Sequence, residues 1–158
     1  MQTEKIFDTL TKKFGNDVTP ILEAAPSEPF ILVKADKIYD VCLFLRDNSE
    51  LDFDYMMCLT GVHQKPDLGV VYHLYSIKHK HKIVLKTFVS IDAPNVPTVE
   101  RIWRSADWHE REAWDMYGIN FEGHHNLIRI LCPYDWEGFP LRKDYVTPEE
   151  YHGMRVPY

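Results

Sequence analysis

Glycine is scarce in this chain, with 7 among 158 residues, and no GxGxxG, P-loop or GxSxG pattern occurs. Phosphate cradles and nucleophile elbows are built on those glycines, so no cofactor box or nucleophile elbow is indicated. Cysteine is equally sparse. Cys42, Cys58 and Cys132 are odd in number, scattered and without a CxxC pair, which argues against a disulfide frame or a zinc knuckle. A reducing, cytoplasmic setting is the expectation. No apolar run approaches the roughly 20 residues a spanning helix needs. The opening MQTEKIFDTL is polar from its second residue, unlike a secretory leader. Clustered positive charge is missing too. The net charge is −6, and the densest basic stretch is only Lys78-His79-Lys80-His81-Lys82, so a nucleic-acid partner is not expected.

What is present is an ordinary globular composition, 45% hydrophobic and 27% charged, with a raised aromatic share of 13%. Aromatic excess in one small domain points to a large core or a large contact surface. Ile6, Phe7, Leu10 and Phe14 fall at helical spacing before Gly15-Asn16, which predicts a helix from Thr3 to Phe14. After the Pro-rich TPILEAAPSEP, the run Phe30 to Val33 reads as a strand, placed at an edge by Pro26 and Pro29. Asp36 is a candidate cap for a helix reaching about Arg46 that buries Ile38, Val41, Cys42 and Leu45. The period then changes to two. Runs beginning at Phe53, Val70 and Ile83 alternate for three successive strands, and their short connectors predict an antiparallel meander. Both faces of these strands carry apolar residues, so the second face is expected to meet a partner or another layer. A proline-broken connector with a helical piece around Val99 to Trp103 precedes a helix from Trp108 to Tyr117. Asp107 and Glu110 suggest its capping box, and Gly118 its stop.

The expected fold is α+β: a two-layer domain over residues 1–131, with a mostly antiparallel sheet covered by helices. Residues 132–158 hold four prolines, four tyrosines, a tryptophan and a phenylalanine without a stable period. They read as an extended arm whose apolar surface is completed elsewhere.

Chemistry concentrates in HEREAWDMYGINFEGHHNLIRIL, residues 109–131. HEREA begins like a zinc-protease helix, but that motif needs a second histidine one turn on, and position 113 is alanine. His79 and His81 share a strand face, yet three lysines beside them oppose a cation. His124-His125 reads as a turn whose neighbouring side chains diverge. Glu112 and Asp115 share a helix face and Glu110 lies on another, with Arg111 in reach of Asp115 at i+4. A hydrolase using Glu112 with His109 or His124 is the rival enzymatic reading, but no relay or oxyanion nest accompanies it.

HEREAWDMYGINFEG, then LIRIL, then DWEGFPLRKDY together resemble the signature of the thirty-kilodalton, C-type subunit of proton-translocating NADH:quinone oxidoreductase, respiratory complex I. Glu110, Arg111, Glu112, Trp114, Asp115, Met116, Tyr117, Gly118, Phe121, Gly123, His124, Leu127, Arg129, Ile130 and Leu131 match the first block. Asp135, Trp136, Gly138, Pro140, Leu141, Arg142, Lys143, Asp144 and Tyr145 match the second. The departures are His125-Asn126 in place of Pro-Asp, Ile128 in place of an arginine, and Phe139 in place of a histidine.

The resemblance implies a non-catalytic component of the water-exposed arm of the complex, on the cytoplasmic side of a bacterial inner membrane. It would be separate from the D-type subunit of the quinone module and packed chiefly against it. The resemblance also implies no catalytic residue, metal or cofactor in this chain, with NADH, FMN, iron–sulfur clusters and quinone held by the rest of the complex. Related ferredoxin-dependent and hydrogenase-type membrane complexes carry subunits of the same kind. On this reading Glu110, Glu112 and Asp115 form an ion-pair and hydrogen-bond lattice with Arg111, part of it within the chain and part facing the partner. Tyr134, Trp136, Phe139 and Tyr145 supply apolar contact area, and Arg142 and Lys143 pair with acids on the neighbour.

Overall fold

Period-two alternation becomes one five-stranded sheet in the computed structural model, which describes residues 3–22 and 28–156. The connector at 23–27, with Pro26, and the terminal 157–158 lie outside the described residues. The elements run α1 (Thr3–Phe14), β1 (Val18–Ile21), β2 (Phe30–Val33), α2 (Ile38–Asp47), β3 (Tyr55–Gln64), β4 (Asp67–Ser76), β5 (His81–Ser90), β6 (Asn95–Pro97), α3 (Ala106–Tyr117), β7 (Asn120–Glu122), β8 (Glu150–Tyr151) and β9 (Met154–Arg155). The order in the main sheet is β1-β2-β5-β4-β3. The β3-β4-β5 meander is antiparallel as expected, in register Leu59↔Tyr72↔Leu85.

β2 corrects the expectation of an edge strand. It is an inner strand, parallel to β5 through Ile31↔Leu85, and its other side is covered by β1, which carries Pro20 at the edge. A four-residue β1 carries too short an alternation to stand out in the sequence.

The register decides the layers. Leu59, Val70, Tyr72, Leu74, Ile83 and Leu85 share one face, and all join a single core with Ile6, Phe7 and Leu10 of α1, Ile38, Val41, Cys42 and Leu45 of α2, and Ala106 and Ala113 of α3. This is the expected two-layer α+β architecture. On the opposite face Val71 and Val84 are nearly buried between strands, while Cys58, Val62, His73, Tyr75 and Phe88 are half-exposed.

Two helix starts differ from expectation. α2 begins at Ile38 after a 3₁₀ turn over Ala35–Lys37, and no side chain caps it, so Asp36 has no capping role. α3 begins at Ala106, two residues early, with Ser105 before it and no side-chain cap. Asp107 lies inside the first turn, and the capping box does not form because Glu110 is turned inward. The helical piece at Val99 to Trp103 is a single turn, closed by the Ile102 and Trp103 amides on the Val99 carbonyl. The stop is as read: Gly118 adopts φ 73° and donates its N–H to Trp114 O at 2.7 Å, the left-handed geometry glycine reaches without strain. β7 then pairs in parallel with β6 and delivers the chain to Gly123.

Candidate functional site

The signature helix buries two carboxylates, and they go to two different places. Glu110 and Asp115 are both 0% exposed, five positions apart and so well separated around the helix. Glu112 is exposed and makes no ion pair among the described residues. Among the described residues, the expected lattice of the three acids with Arg111 therefore does not form within the chain. Arg111 instead donates to the carbonyls of Ile128 and Arg129, at 3.2 and 3.1 Å, because the returning chain passes over it. Its guanidinium also lies 5.1 Å from the Trp108 ring centroid.

Glu110 faces the connector between β6 and α3. Its Oε1 accepts the Val99 N–H at 2.7 Å, and its Oε2 is hydrogen-bonded to Thr98 Oγ1 at 2.5 Å. Burial pushes its carboxyl up to about 8. The Thr98 and Val99 bonds oppose that rise, and the charges of Glu100 and Asp107 add to it. Glu100, 3% exposed, is held by His125 through both the backbone N–H (3.2 Å) and ring Nδ1 (2.5 Å). Burial would raise Glu100, but the His125 bonds and the nearby imidazoles outweigh it and leave its pKa below the ordinary value. His124 and His125 do not diverge as the sequence suggests. After Gly123 turns at φ +84°, their rings stack at 5.2 Å with 13° between planes, on the same carboxylates.

Asp115 organises the other place. Its Oδ2 accepts the backbone N–H groups of Ile130, Leu131 and Cys132 at 3.0, 2.8 and 2.8 Å, and its Oδ1 accepts Arg129 Nη1 at 2.6 Å. Burial would raise this carboxyl, yet the Cys132 amide, the Arg129 guanidinium and the other two amides hold it below its ordinary value. Arg129 also donates through Nη2 to the carbonyls of Trp136 and Gly138, at 2.6 and 3.1 Å. One buried acid and one arginine thus fold residues 129–138 onto α3.

The segment continues as a strap around the end of that helix. Leu141 N–H donates to Met116 O (3.0 Å) and Arg142 Nε to Tyr117 O (2.6 Å), satisfying carbonyls that a helix C-terminus leaves without partners. Phe139 and Arg142 close over Gly118 so tightly that a Cβ there would lie 2.6 Å from the Phe139 ring. Arg142 is expected from its charge to seek an acid on a neighbour; the structure uses it internally, because the negative end of α3 lies beside it. Lys143 contributes its backbone N–H to His63 Nδ1 at 3.0 Å, and Asp144 comes within 3.8 Å of the same ring nitrogen. Trp136 donates to Tyr145 Oη at 3.0 Å and lies against Tyr151. Tyr151 Oη–H and His152 Nε2 both bond Asp135 at 2.7 Å. Pro140 keeps the strap turning between Phe139 and Leu141. Phe121 is a core residue of the body at 2% exposure.

Of the four aromatic residues expected to offer contact area, Trp136, Phe139 and Tyr145 are half-buried in these internal contacts and Tyr134 points outward, together with other apolar side chains. Tyr134 is 93% exposed, Leu131 63% and Ile128 50%, with Trp108 of α3 at 61%. Leu127, Ile128, Arg129, Cys132, Tyr134 and Trp114 line an open cavity of about 340 Å³ between strap and helix. Exposed large apolar groups on a rigidly tied backbone, rimmed by arginine, make a surface suited to binding another protein.

Comparison with known proteins gives this geometry its family. A model described as "Respiratory-chain NADH dehydrogenase, 30 Kd subunit" matches residues 31–151. The chain belongs to that family. It is 49% identical over 158 residues to the C-type subunit of NADH-quinone oxidoreductase from Chloroherpeton thalassium, covering 98% of this chain and 65% of that protein. With the same-named protein of Chlorobium phaeobacteroides it shares 46% over 156 residues, covering 96% of this chain and 93% of the relative. Among solved structures, the trypsin-resistant fragment (1-134) of Nqo5 superposes with a TM-score of 0.65 at 22% identity, over 80% of this chain and all of that fragment. That likeness concerns the fold alone. A chain of an archaeal membrane-bound sulfane sulfur reductase superposes at 0.73 with 28% identity, over 92% of this chain and 86% of that one. The 30 kDa family match includes α3 and nearly all of the strap.

The signature residues stand out in the sequence, but Thr98 and Glu100, which with Asp107 complete the Glu110 and His124 surroundings, do not. Thr98 and Glu100 sit in an aperiodic connector, where no pattern announces burial. Asp107 is visible, and its resemblance to a helix cap conceals its role.

Proposed function

We propose that this chain is a docking subunit in the peripheral arm of an NADH:quinone oxidoreductase, in which electron transfer from NADH to quinone is coupled to proton translocation. It would hold no redox centre of its own; NADH, FMN, iron–sulfur clusters and quinone would belong to its neighbours. Its chief partner would be the D-type subunit of the quinone module, with membrane attachment through the complex only, on the cytoplasmic face. The observation that carries this reading is the strap. Its backbone is fixed by Asp115 and Arg129, while Ile128, Leu131 and Tyr134 remain exposed. A preorganised apolar surface loses little entropy on association.

The archaeal sulfane sulfur reductase neighbour favours one alternative: the same docking role in a related membrane complex with a different electron donor or acceptor. Proteins that co-purify from detergent-solubilised membranes distinguish the two by whether an NADH-oxidising flavoprotein is among them.

Leu131→Asp combined with Tyr134→Asp tests the docking surface. The free chain should melt as the unaltered one does, since exposed substitutions cost within about 0.5 kcal/mol each, while recovery with the membrane complex falls at least tenfold. Unfolding of the free chain with normal assembly would assign these residues to the core instead. Visible absorbance or stoichiometric iron in the purified chain would contradict the absence of a redox centre.

A further inference from the structure

The carboxylate and histidine group at the start of α3 is not accounted for by docking. Among the described residues, Glu100, Asp107, His124 and His125 each place one ligand atom within 4.8 Å of all the others. The His124 side chain is fully buried, and its Nε2 looks at Asp107 Oδ1 (3.3 Å), Glu100 Oε2 (3.7 Å) and Glu110 Oε2 (3.9 Å). None of these three is hydrogen-bond geometry. Within the described residues Nε2 has one hydrogen-bond contact, the Asp107 carbonyl at 3.3 Å. An ion with bonds of ~2.0–2.2 Å to nitrogen and oxygen holds tetrahedral ligands ~3.3–3.6 Å apart. The Asp107 Oδ1 gap falls within that range and the Glu100 Oε2 gap lies just beyond it.

We propose that Asp107, His124 and His125, with Glu100, bind one divalent transition-metal ion of the zinc class, which pins the first turn of α3 to the connector and to the turn after β7. Two imidazoles with carboxylates suit Zn²⁺ and its neighbours; Mg²⁺ and Ca²⁺ take all-oxygen shells. Glu100 grips His125 at both its backbone N–H and Nδ1, the role a carboxylate plays in orienting a metal-bound imidazole. His125 Nε2 lies 4.0 Å from Asp107 Oδ2 and is the nitrogen left for the ion. His124 Nδ1 accepts the Asn126 N–H at 3.1 Å, so binding through Nε2 moves the ring proton to Nδ1 and releases that one surface contact. Atoms and charge balance with no other participant. The sequence alone does not point to a metal here, because adjacent histidines are expected to diverge.

Zinc titration of the purified full chain, free of any affinity tag and in millimolar Mg²⁺, tests the site. One equivalent should bind with a dissociation constant in the micromolar range or tighter. X-ray absorption at the zinc edge should show two imidazoles. His125→Ala, at a side chain 51% exposed, and Asp107→Asn should each weaken binding at least tenfold, while His79→Ala, in the other histidine pair, leaves it unchanged. If Asp107→Asn fails to fold, the exposed His125→Ala still decides. No saturable binding, binding indifferent to His125→Ala, or binding lost with His79→Ala would each overturn the proposal.

Discussion

The body and the strap of this chain are held by opposite means. In the body, residues such as Phe53, Tyr72, Leu74 and Leu85 are 0% exposed and stability comes from area removed from water. In the strap, no residue from 127 to 156 is buried, and the backbone is fixed by directed bonds to α3 from Asp115, Arg129 and Arg142. Apolar burial gives a fold that needs no partner. A hydrogen-bonded strap that leaves Ile128, Leu131 and Tyr134 outward is ordered but incomplete, and burial is what a neighbouring protein would add.

The largest effect that separates the two belongs to the body. Phe53→Ala removes a fully buried ring that lies 4.7 Å from the His81 ring. Truncations of this kind cost about 3–5 kcal/mol, and thermal or urea unfolding of the whole chain should register all of it. Asp115→Ala should cost a comparable ~3–5 kcal/mol, because it leaves Arg129 without its counter-charge and three amides without their acceptor, but the loss should stay in the strap. Hydrogen exchange should rise at the 130–132 amides and proteolysis should begin there, while the core amides of β4 and β5 remain protected. If those core amides open together with the strap, the two regions are one cooperative unit and the distinction fails.

A smaller effect probes the joint. Gly118→Ala forces a left-handed residue to carry a Cβ that would sit 2.6 Å from Phe139 and 2.7 Å from Arg142 Nη2. Strain of about 1–3 kcal/mol is expected, read as a lower melting temperature together with increased exchange at the Arg142 amide. A change in melting without any change at the strap would mean that Phe139 simply swings aside.

Legibility in the sequence follows the same division. The body announces itself because periodicity reports burial: the spacing in α1 and α2 and the alternation in β3 to β5 predict the two-layer fold. The order of the strands is less visible, since β1 is four residues long and the parallel β2–β5 pairing depends on a chain reversal that no local pattern encodes. The sequence marks residues 132–158 as aromatic and without a stable period, but the attachments of the strap are not legible there. Asp115 bonding three consecutive amides is a backbone interaction, to which side-chain spacing is blind. Arg111 and Arg142 invite acid partners because arginine usually finds acids, whereas in this chain both donate to carbonyls laid beside them by tertiary structure.

Glu110 gives the finest test, because it sits in the body yet is polar. Its carboxyl keeps a proton up to about pH 8 in the folded chain, against an unfolded value of about 4.5. Between those values the folded chain binds more protons than the unfolded one, so rising pH favours unfolding. The contribution is complete below about pH 4.5 and lost as pH rises through 8. Glu100 and Asp115 act in the opposite sense, their stabilisation being lost only as pH falls below the ordinary carboxylate range, so the interval from pH 5 to 8 belongs to Glu110 among these three. One proton can change stability by at most about 1.4 kcal/mol per pH unit. Glu110→Gln, which keeps a neutral side chain of the same shape, should flatten the decline in urea stability between pH 5 and pH 8, measured with a chelator present so that metal plays no part. Parallel pH profiles for the two chains would show that Glu110 is ionised in the folded protein and that its bonds to Thr98 and Val99 outweigh its burial.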